Sequence, residues 1–363
     1  MIQSIQPGWL ISAILCLSLS MACSGSKEKG NCFSEKPKYL WFDAEANFER
    51  FQYKDSIIYY LDKTKEAGFN RIVVDVRPLQ GDALYSSSVL PSLKQLNGYT
   101  VERDWDYLQF FIDEAKKREL KVSVSTTIFS GGRQHTGEGM VYRSTDWEDQ
   151  VAIQYTPEGL ASIQEDPSKV AVFLNPLSPE VQAFCLAFIR ELVEKYDFDG
   201  YALDYCRYSG METDFSPASR EAFEKYTGGE VERFPEDIFT WEQDGHGNFI
   251  PIPGSLYEKW FEFRAQVIHD FIEKVNREIK RIKPDLLLEY WAPSWYPSLY
   301  LQGQNWASKR YDLAKESERV SPEYFRTGFA EHLDVFMCGT YLEKYMAWMS
   351  RRVLNLDWHG RTG

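Results

Sequence analysis

From Lys38 onward the chain alternates short apolar runs with longer amphipathic stretches, and this alternation restricts the fold more than any other feature. Strand followed by helix, repeated, builds a parallel sheet covered by helices. The runs read as strands are YLWFD (39–43), RIVVDV (71–76), KVSVSTTIF (121–129), GYALDY (200–205), LLLEYWA (286–292) and DVFMCGTY (334–341). Between them, KDSIIYYLDKTKEAGF sets Ile57, Ile58, Leu61 and Ala67 near helical spacing, and DWDYLQFFIDEAKKREL repeats the pattern. SPEVQAFCLAFIRELVEKY opens with Ser178 as N-cap and Pro179 in its first turn. SLYEKWFEFRAQVIHDFIEKVNREIKRIKP opens with Ser255 and Glu258 in capping-box spacing.

The expected fold is α/β, a (β/α)8-type TIM barrel. Six strand–helix units are legible where closure needs eight. The tail RRVLNLDWHGRTG does not read as two more, so the expectation is a barrel incomplete at its C-terminal end. Long connections at 130–170 and 206–255 follow strands three and four, on the face where barrel active sites lie. The second contains HGNFIPIPG, read as a small hairpin or an ordered flap.

Before Lys38 the sequence is of another kind. An apolar stretch from Trp9 to Ala22 is too short to span a bilayer and ends in small residues before Cys23. The residues LSMAC resemble the bacterial lipobox, which implies removal of residues 1–22 as a signal peptide and lipidation of Cys23. Residues 23–37 then form a polar tether and 38–363 the barrel. The expected location is the bacterial cell envelope, periplasm or outer membrane, with the lipid as the sole membrane contact; plain secretion is the competing reading.

Composition narrows the function. A formal net charge of −13 argues against nucleic acid, whose phosphates are bound by clustered Lys and Arg. The five His are scattered without metal-ligand spacing, and no GxSxG elbow, P-loop or dinucleotide fingerprint is present, so neither a metal nor a cofactor is expected. Of the six Cys, Cys32, Cys185, Cys206 and Cys338 would remain in the mature chain, too widely spaced for a disulfide framework and read as buried free thiols. Aromatic residues make up 15% of the chain, which suits a cleft lined with flat surfaces.

Two acids stand out. Asp204 ends the fourth strand, where a barrel points a side chain into its site, and a carboxylate there needs a task or a partner. A structural ion pair with Arg207 is the competing account. Glu289 interrupts LLLEYWA, where burial raises a carboxyl pKa toward the range of a general acid. On adjacent strands the two could flank a scissile glycosidic bond. Asp43, Asp75, Asp82 and Glu343 are other acids near strand ends; for Asp75, a barrel-lining salt bridge with Arg77 is the favoured reading. After Glu289, YWAPSWYPSLYLQGQNW crowds Trp291, Trp295, Tyr296, Tyr300 and Trp306 near one strand end, where sugar faces could stack, although core packing claims about half of them.

Three blocks, GFNRIVVDVRPLQGDALYSS (68–87), FLNPLSPEVQAFCLAFIRELVEKYDFDGYALDYCRY (173–208) and LDVFMCGTYLE (333–343), together resemble the family 10-like glycosyl hydrolases, a group of bacterial exported barrels. The resemblance implies an enzyme cleaving O-glycosyl bonds in an oligo- or polysaccharide, such as peptidoglycan strands or a dietary or host glycan. It places Asp204 at the family's strand-four acid, and Arg77, Asp82 and Asn175 at positions of ligand contact or site support. The sequence departs from the family after that acid, reading Tyr205, Cys206, Arg207, Tyr208. The leading expectation is a retaining hydrolase with Asp204 as nucleophile and Glu289 as acid, Arg207, Trp291, Trp295 and Glu343 being further substrate contacts. A catalytically silent, lipid-anchored glycan-binding protein is the alternative.

Overall fold

Period-two alternation sorts each strand's side chains between a helix-covered face and an interior. The computed structural model describes residues 35–96 and 98–340; the segment expected to be a signal peptide, Cys23, Cys32 and Glu343 lie outside them. Six parallel strands form one sheet in sequential order: β1 (Tyr39–Phe42), β2 (Arg71–Arg77), β3 (Lys121–Thr127), β4 (Gly200–Asp204), β5 (Leu287–Pro293) and β6 (Val335–Gly339). Ile72, Val74 and Val76 of β2, Val122 and Val124 of β3, and Leu288 and Tyr290 of β5 join the core beneath the helices. The other face is narrow and polar, with Ser123 and Ser125 on β3 and Gly200 and Ala202 on β4.

The sheet is strongly curled. Laid flat, β1 and β5 would stand about 19 Å apart at the usual strand spacing, yet Tyr39 Oη of β1 donates to Glu289 Oε1 of β5 across the interior at 2.9 Å. These are six strands of a (β/α)8-type barrel.

Helices α1 (Lys54–Glu66), α2 (Tyr107–Lys117), α3 (Pro179–Lys195), α4 (Pro217–Thr227) and α5 (Tyr257–Ile282) cover or flank the sheet. Ser178 caps α3 by accepting from Val181 N at 3.2 Å, with Pro179 in the first turn as expected. The capping box expected for α5 does not form: its N-cap is Leu256, without a side-chain bond. The backbone of Gly254 and Leu256 is already bonded to Ile238 O and Asp237 O, so the chain turns before Ser255 can cap. Along α5, Trp260, Phe261, Ile268, Phe271, Ile272, Val275 and Ile279 are buried at helical spacing, each stabilising by about 1.5–3 kcal/mol.

The long connections are structured. Ser130–Arg133 pairs with Ala171–Phe173, Ile153–Thr156 pairs with Gly159–Ser162, and Phe239–Gln243 pairs with Phe249–Pro253. The last is the hairpin read from HGNFIPIPG. Trp241 Nε1 ties it to Tyr155 O at 3.1 Å. Cys185 and Cys206 are buried free thiols as expected, while Cys338 is exposed because β6 is only partly covered.

Candidate active site

The C-terminal ends of β1, β2 and β4 bring acids together. Asp204 closes β4, where Ile128 N still bonds its carbonyl at 2.8 Å. The chain then turns sharply, with Tyr205 in the left-handed region at φ 49°, which a non-glycine residue adopts only under local constraint. That turn aims Tyr205 N at Asp204 Oδ1, 2.8 Å away, as the one hydrogen bond this carboxylate receives among the described residues. Asp204 remains partly open to solvent. Its desolvated position pushes its pKa up to about 6, against the pull of Tyr205 N–H and of Arg207, with Asp43 and Glu45 adding to the rise.

No ion pair within 4 Å joins Asp204 to Arg207. The guanidinium instead donates to Tyr208 O and Ser209 O at 2.9 and 3.1 Å and lies over the rings of Phe173 and Tyr205. It acts on Asp204 at longer range, favouring the ionised form.

Asp75 of β2 lies in the same interior. Trp41 Nε1 donates to Oδ1 at 2.9 Å and Ala44 N to Oδ2 at 3.3 Å. Desolvation raises its pKa well above the usual range, and Asp204 and Asp43 raise it further. Neighbouring acids disfavour each other's ionisation, and the Asp204 charge favours the protonated form of Asp75. Glu45 stands at the rim, accepting from Leu79 N at 3.0 Å and paired with Arg133 at 3.2 Å, and burial raises its pKa too.

The salt bridge expected between Asp75 and Arg77 is absent. The β2–β3 register shifts between them, Asp75 pairing with Ser125 and Arg77 with Thr126. This bulge turns Arg77 to the helix side, where it is buried, bonds Thr127 O and Ser130 O, and lies 4.8 Å from the Phe188 ring of α3. Arg77 therefore braces the rim from behind and is not a substrate contact.

Glu289 is also a correction. It is level with Ala202, two residues short of Asp204, and its carboxyl points away from the rim. Oε1 accepts from Tyr39 Oη at 2.9 Å and Ser123 Oγ at 3.0 Å, with Arg71 at 4.0 Å. A Cβ on Gly200 would stand 2.4 Å from that oxygen. The side chain is fully buried, and desolvation raises its pKa to about 7. It plugs the N-terminal end of the barrel and does not share a cleft with Asp204.

Two more expected contacts are structural. Asp82 is buried against Arg143. Asn175 donates from Nδ2 to Asp214 Oδ2 at 2.7 Å and accepts from Leu177 N, joining the connection before α3 to the one before α4. Trp291, two residues beyond Glu289 on the same strand face, and Trp295 stay half-buried. Tyr296 and Tyr300 are buried, and Trp306 stacks on Phe336 at 4.5 Å, so these three belong to packing. Sequence reasoning missed Trp41, Glu45, Phe173 and Tyr205. Trp41 was discoverable, since alternation in YLWFD sets it on the face of Tyr39 and Asp43. Among the described residues, no three His, Cys, Asp or Glu side chains are grouped so as to hold a metal ion.

The glycosyl hydrolase-like 10 family model matches residues 39–332. The chain is 31% identical over 326 residues to an S-layer-related protein of Niallia circulans, covering 84% of this chain and 20% of that protein. It is 28% identical over 236 residues to the glycosyl hydrolase DigH of Escherichia coli strain K12, covering 64% of this chain and 46% of that protein. The chain thus spans between a fifth and half the length of these curated relatives. Among solved structures, the glycoside hydrolase domain of PgaB (BpsB) from Bordetella bronchiseptica superposes with a TM-score of 0.55 at 13% identity, over 89% of this chain and 82% of that one. A beta-galactosidase from the psychrophilic Marinomonas ef1 gives 0.51 at 11%, over 84% and 41%. These two likenesses concern the fold. The chain belongs to the glycosyl hydrolase-like 10 family.

Proposed function

We propose that this family member hydrolyses O-glycosyl bonds of a glycan with Asp204 and Asp75 as its two carboxyl groups. One observation carries the reading: Asp75, lining β2, lies close enough to Asp204, ending β4, for the Asp204 charge to raise its pKa, while desolvation raises both. Neighbouring carboxyls in unlike surroundings let one site supply both an acid and a nucleophile. The Asp204 carboxylate forms a bond to the anomeric carbon as the Asp75 proton passes to the leaving oxygen. Water then attacks the same carbon, gives its proton to Asp75 and releases Asp204, with net retention. Trp291 and Trp295 supply half-buried ring faces for sugar stacking.

The test compares Asp204→Asn with Asp75→Asn on purified peptidoglycan strands and soluble starch, following release of reducing ends. Both variants lose hydrolysis, and Asp75→Asn recovers a large part of it on an aryl glycoside whose leaving group needs no proton. Unchanged release by Asp204→Asn overturns the assignment. Binding of these glycans without turnover by the native chain would favour the lipid-anchored glycan-binding protein instead.

Envelope anchoring belongs to the same proposal. It rests on the apolar stretch Trp9–Ala22 followed by LSMAC, and incorporation of labelled fatty acid that disappears in Cys23→Ala would test it.

A further inference from the structure

The residue after Asp204 occupies a backbone conformation that a tyrosine resists, and something must hold it there. Among the described residues, Phe129 N donates to Tyr205 O at 3.4 Å, and three further bonds join the segment to other elements. Tyr290 Oη donates to Cys206 O at 2.9 Å, Tyr208 N donates to Gln302 O at 3.0 Å, and Arg264 Nη2 donates to Gly210 O at 2.6 Å. Arg264 also lies 4.3 Å over the Tyr208 ring. Of these three further bonds, that from Tyr290 falls nearest to Asp204, two residues beyond it.

Tyr290 sits on β5 beside Leu203, fully buried, its ring packed on Phe329. Its hydroxyl has one proton to give. Gln304 Nε2 donates to that hydroxyl at 2.9 Å, leaving the phenol proton to point at Cys206 O. Gln304 is itself buried, so neither partner is replaced by bulk water. The buried phenol of Tyr324 shows the contrast, since its hydroxyl has no hydrogen-bond partner among the described residues.

We infer that Tyr290, oriented by Gln304, is a positioning residue that holds the turn presenting Asp204 to its substrate. This rests on the reading of Asp204 as the acting carboxylate. The turn sets where Tyr205 N meets Asp204 Oδ1, so loosening it misplaces the carboxylate and weakens that bond.

The variants are Tyr290→Phe and Gln304→Met, with Tyr324→Phe as a control for losing a buried hydroxyl. On the better cleaved of peptidoglycan strands and soluble starch, the first two lower kcat by about ten- to a hundredfold at unchanged KM. A second measurement needs no substrate: the carboxyl carbon of Asp204, assigned by its loss in Asp204→Asn, is titrated by NMR. Its midpoint lies near 6 in the native chain and moves up by about half a unit or more in both variants. Tyr324→Phe leaves both readouts in place. Native kcat with an unmoved midpoint in Tyr290→Phe and Gln304→Met overturns the inference while the role of Asp204 stands. Full turnover by Asp204→Asn overturns that role instead, and the titration still decides whether Tyr290 holds the turn. A Tyr290→Phe protein without a cooperative melt is replaced by Gln304→Met.

Discussion

The two ends of the barrel each bury acids, and they treat them in opposite ways. At the N-terminal end, Glu289 is fully enclosed, held by two hydroxyls and an arginine, and packed over a glycine. At the C-terminal end, Asp204 has one backbone donor, a strained turn behind it and an open side toward solvent. Both have pKa values raised mainly by desolvation. A raised pKa alone therefore does not mark a working carboxyl; the difference lies in whether the local structure encloses the group or presents it.

Removing each acid should separate the two ends most clearly. Asp204→Asn should lower reducing-end release by at least about a thousandfold with a melting temperature close to native. Glu289→Ala should instead cost about 3 kcal/mol of stability by leaving Arg71 without this partner and Gly200 over a cavity, read as a fall in denaturation midpoint. Turnover per folded molecule should stay near native. If Glu289→Gln were inactive but stable, the contrast between the ends would collapse.

A pH series sharpens the same point. Burial raises the folded pKa of Glu289 to about 7, well above the ordinary glutamate range. The folded state holds the proton more tightly, so the group's stabilising contribution is complete below the unfolded pKa and is lost as pH rises toward 7 and above. Native stability relative to Glu289→Gln should fall by about 3 kcal/mol between pH 4 and 8, measured by paired denaturant titrations. Catalysis should rise through about pH 6 as Asp204 ionises and fall at higher pH as Asp75 loses its proton. The smallest effect expected is that of Trp41→Phe. It removes a donor that lowers the Asp75 pKa, so the alkaline limb of kcat/KM should move to higher pH, at about a threefold cost in kcat.

Much of the sheet was legible because parallel strands covered on their outer face read as near-continuous apolar runs. All six runs overlap β1 to β6, and the Ser–Pro opening of α3 located its cap. Helix α4 was passed over although its signals were present: Ser216 caps it through Ser219 N, Pro217 opens it, and Gly228 ends it in the left-handed region. The weak apolar pattern of its exposed side hid them. The site was half legible. Asp204 lies at the predicted strand end. Its supposed partner failed because sequence gives a residue's strand but not the direction in which its side chain bends, and Glu289 bends toward Ser123 and Gly200. Asp75 and Arg77 misled for a different reason, since one inserted residue reverses the faces and a bulge leaves no clear trace in VVDVRP.

The contact between Gly200 and Glu289 carries a consequence for how this sequence can drift. A side chain at position 200 would occupy the space of the glutamate's oxygen, while loss of the glutamate would remove one of the two side chains that crowd the glycine, the Ser123 hydroxyl being the other. Across diverging copies of the chain the two positions are not independent variables. A larger residue at 200 is accessible only after, or together with, a shorter one at 289, and the order of those two steps decides which intermediate is tolerated.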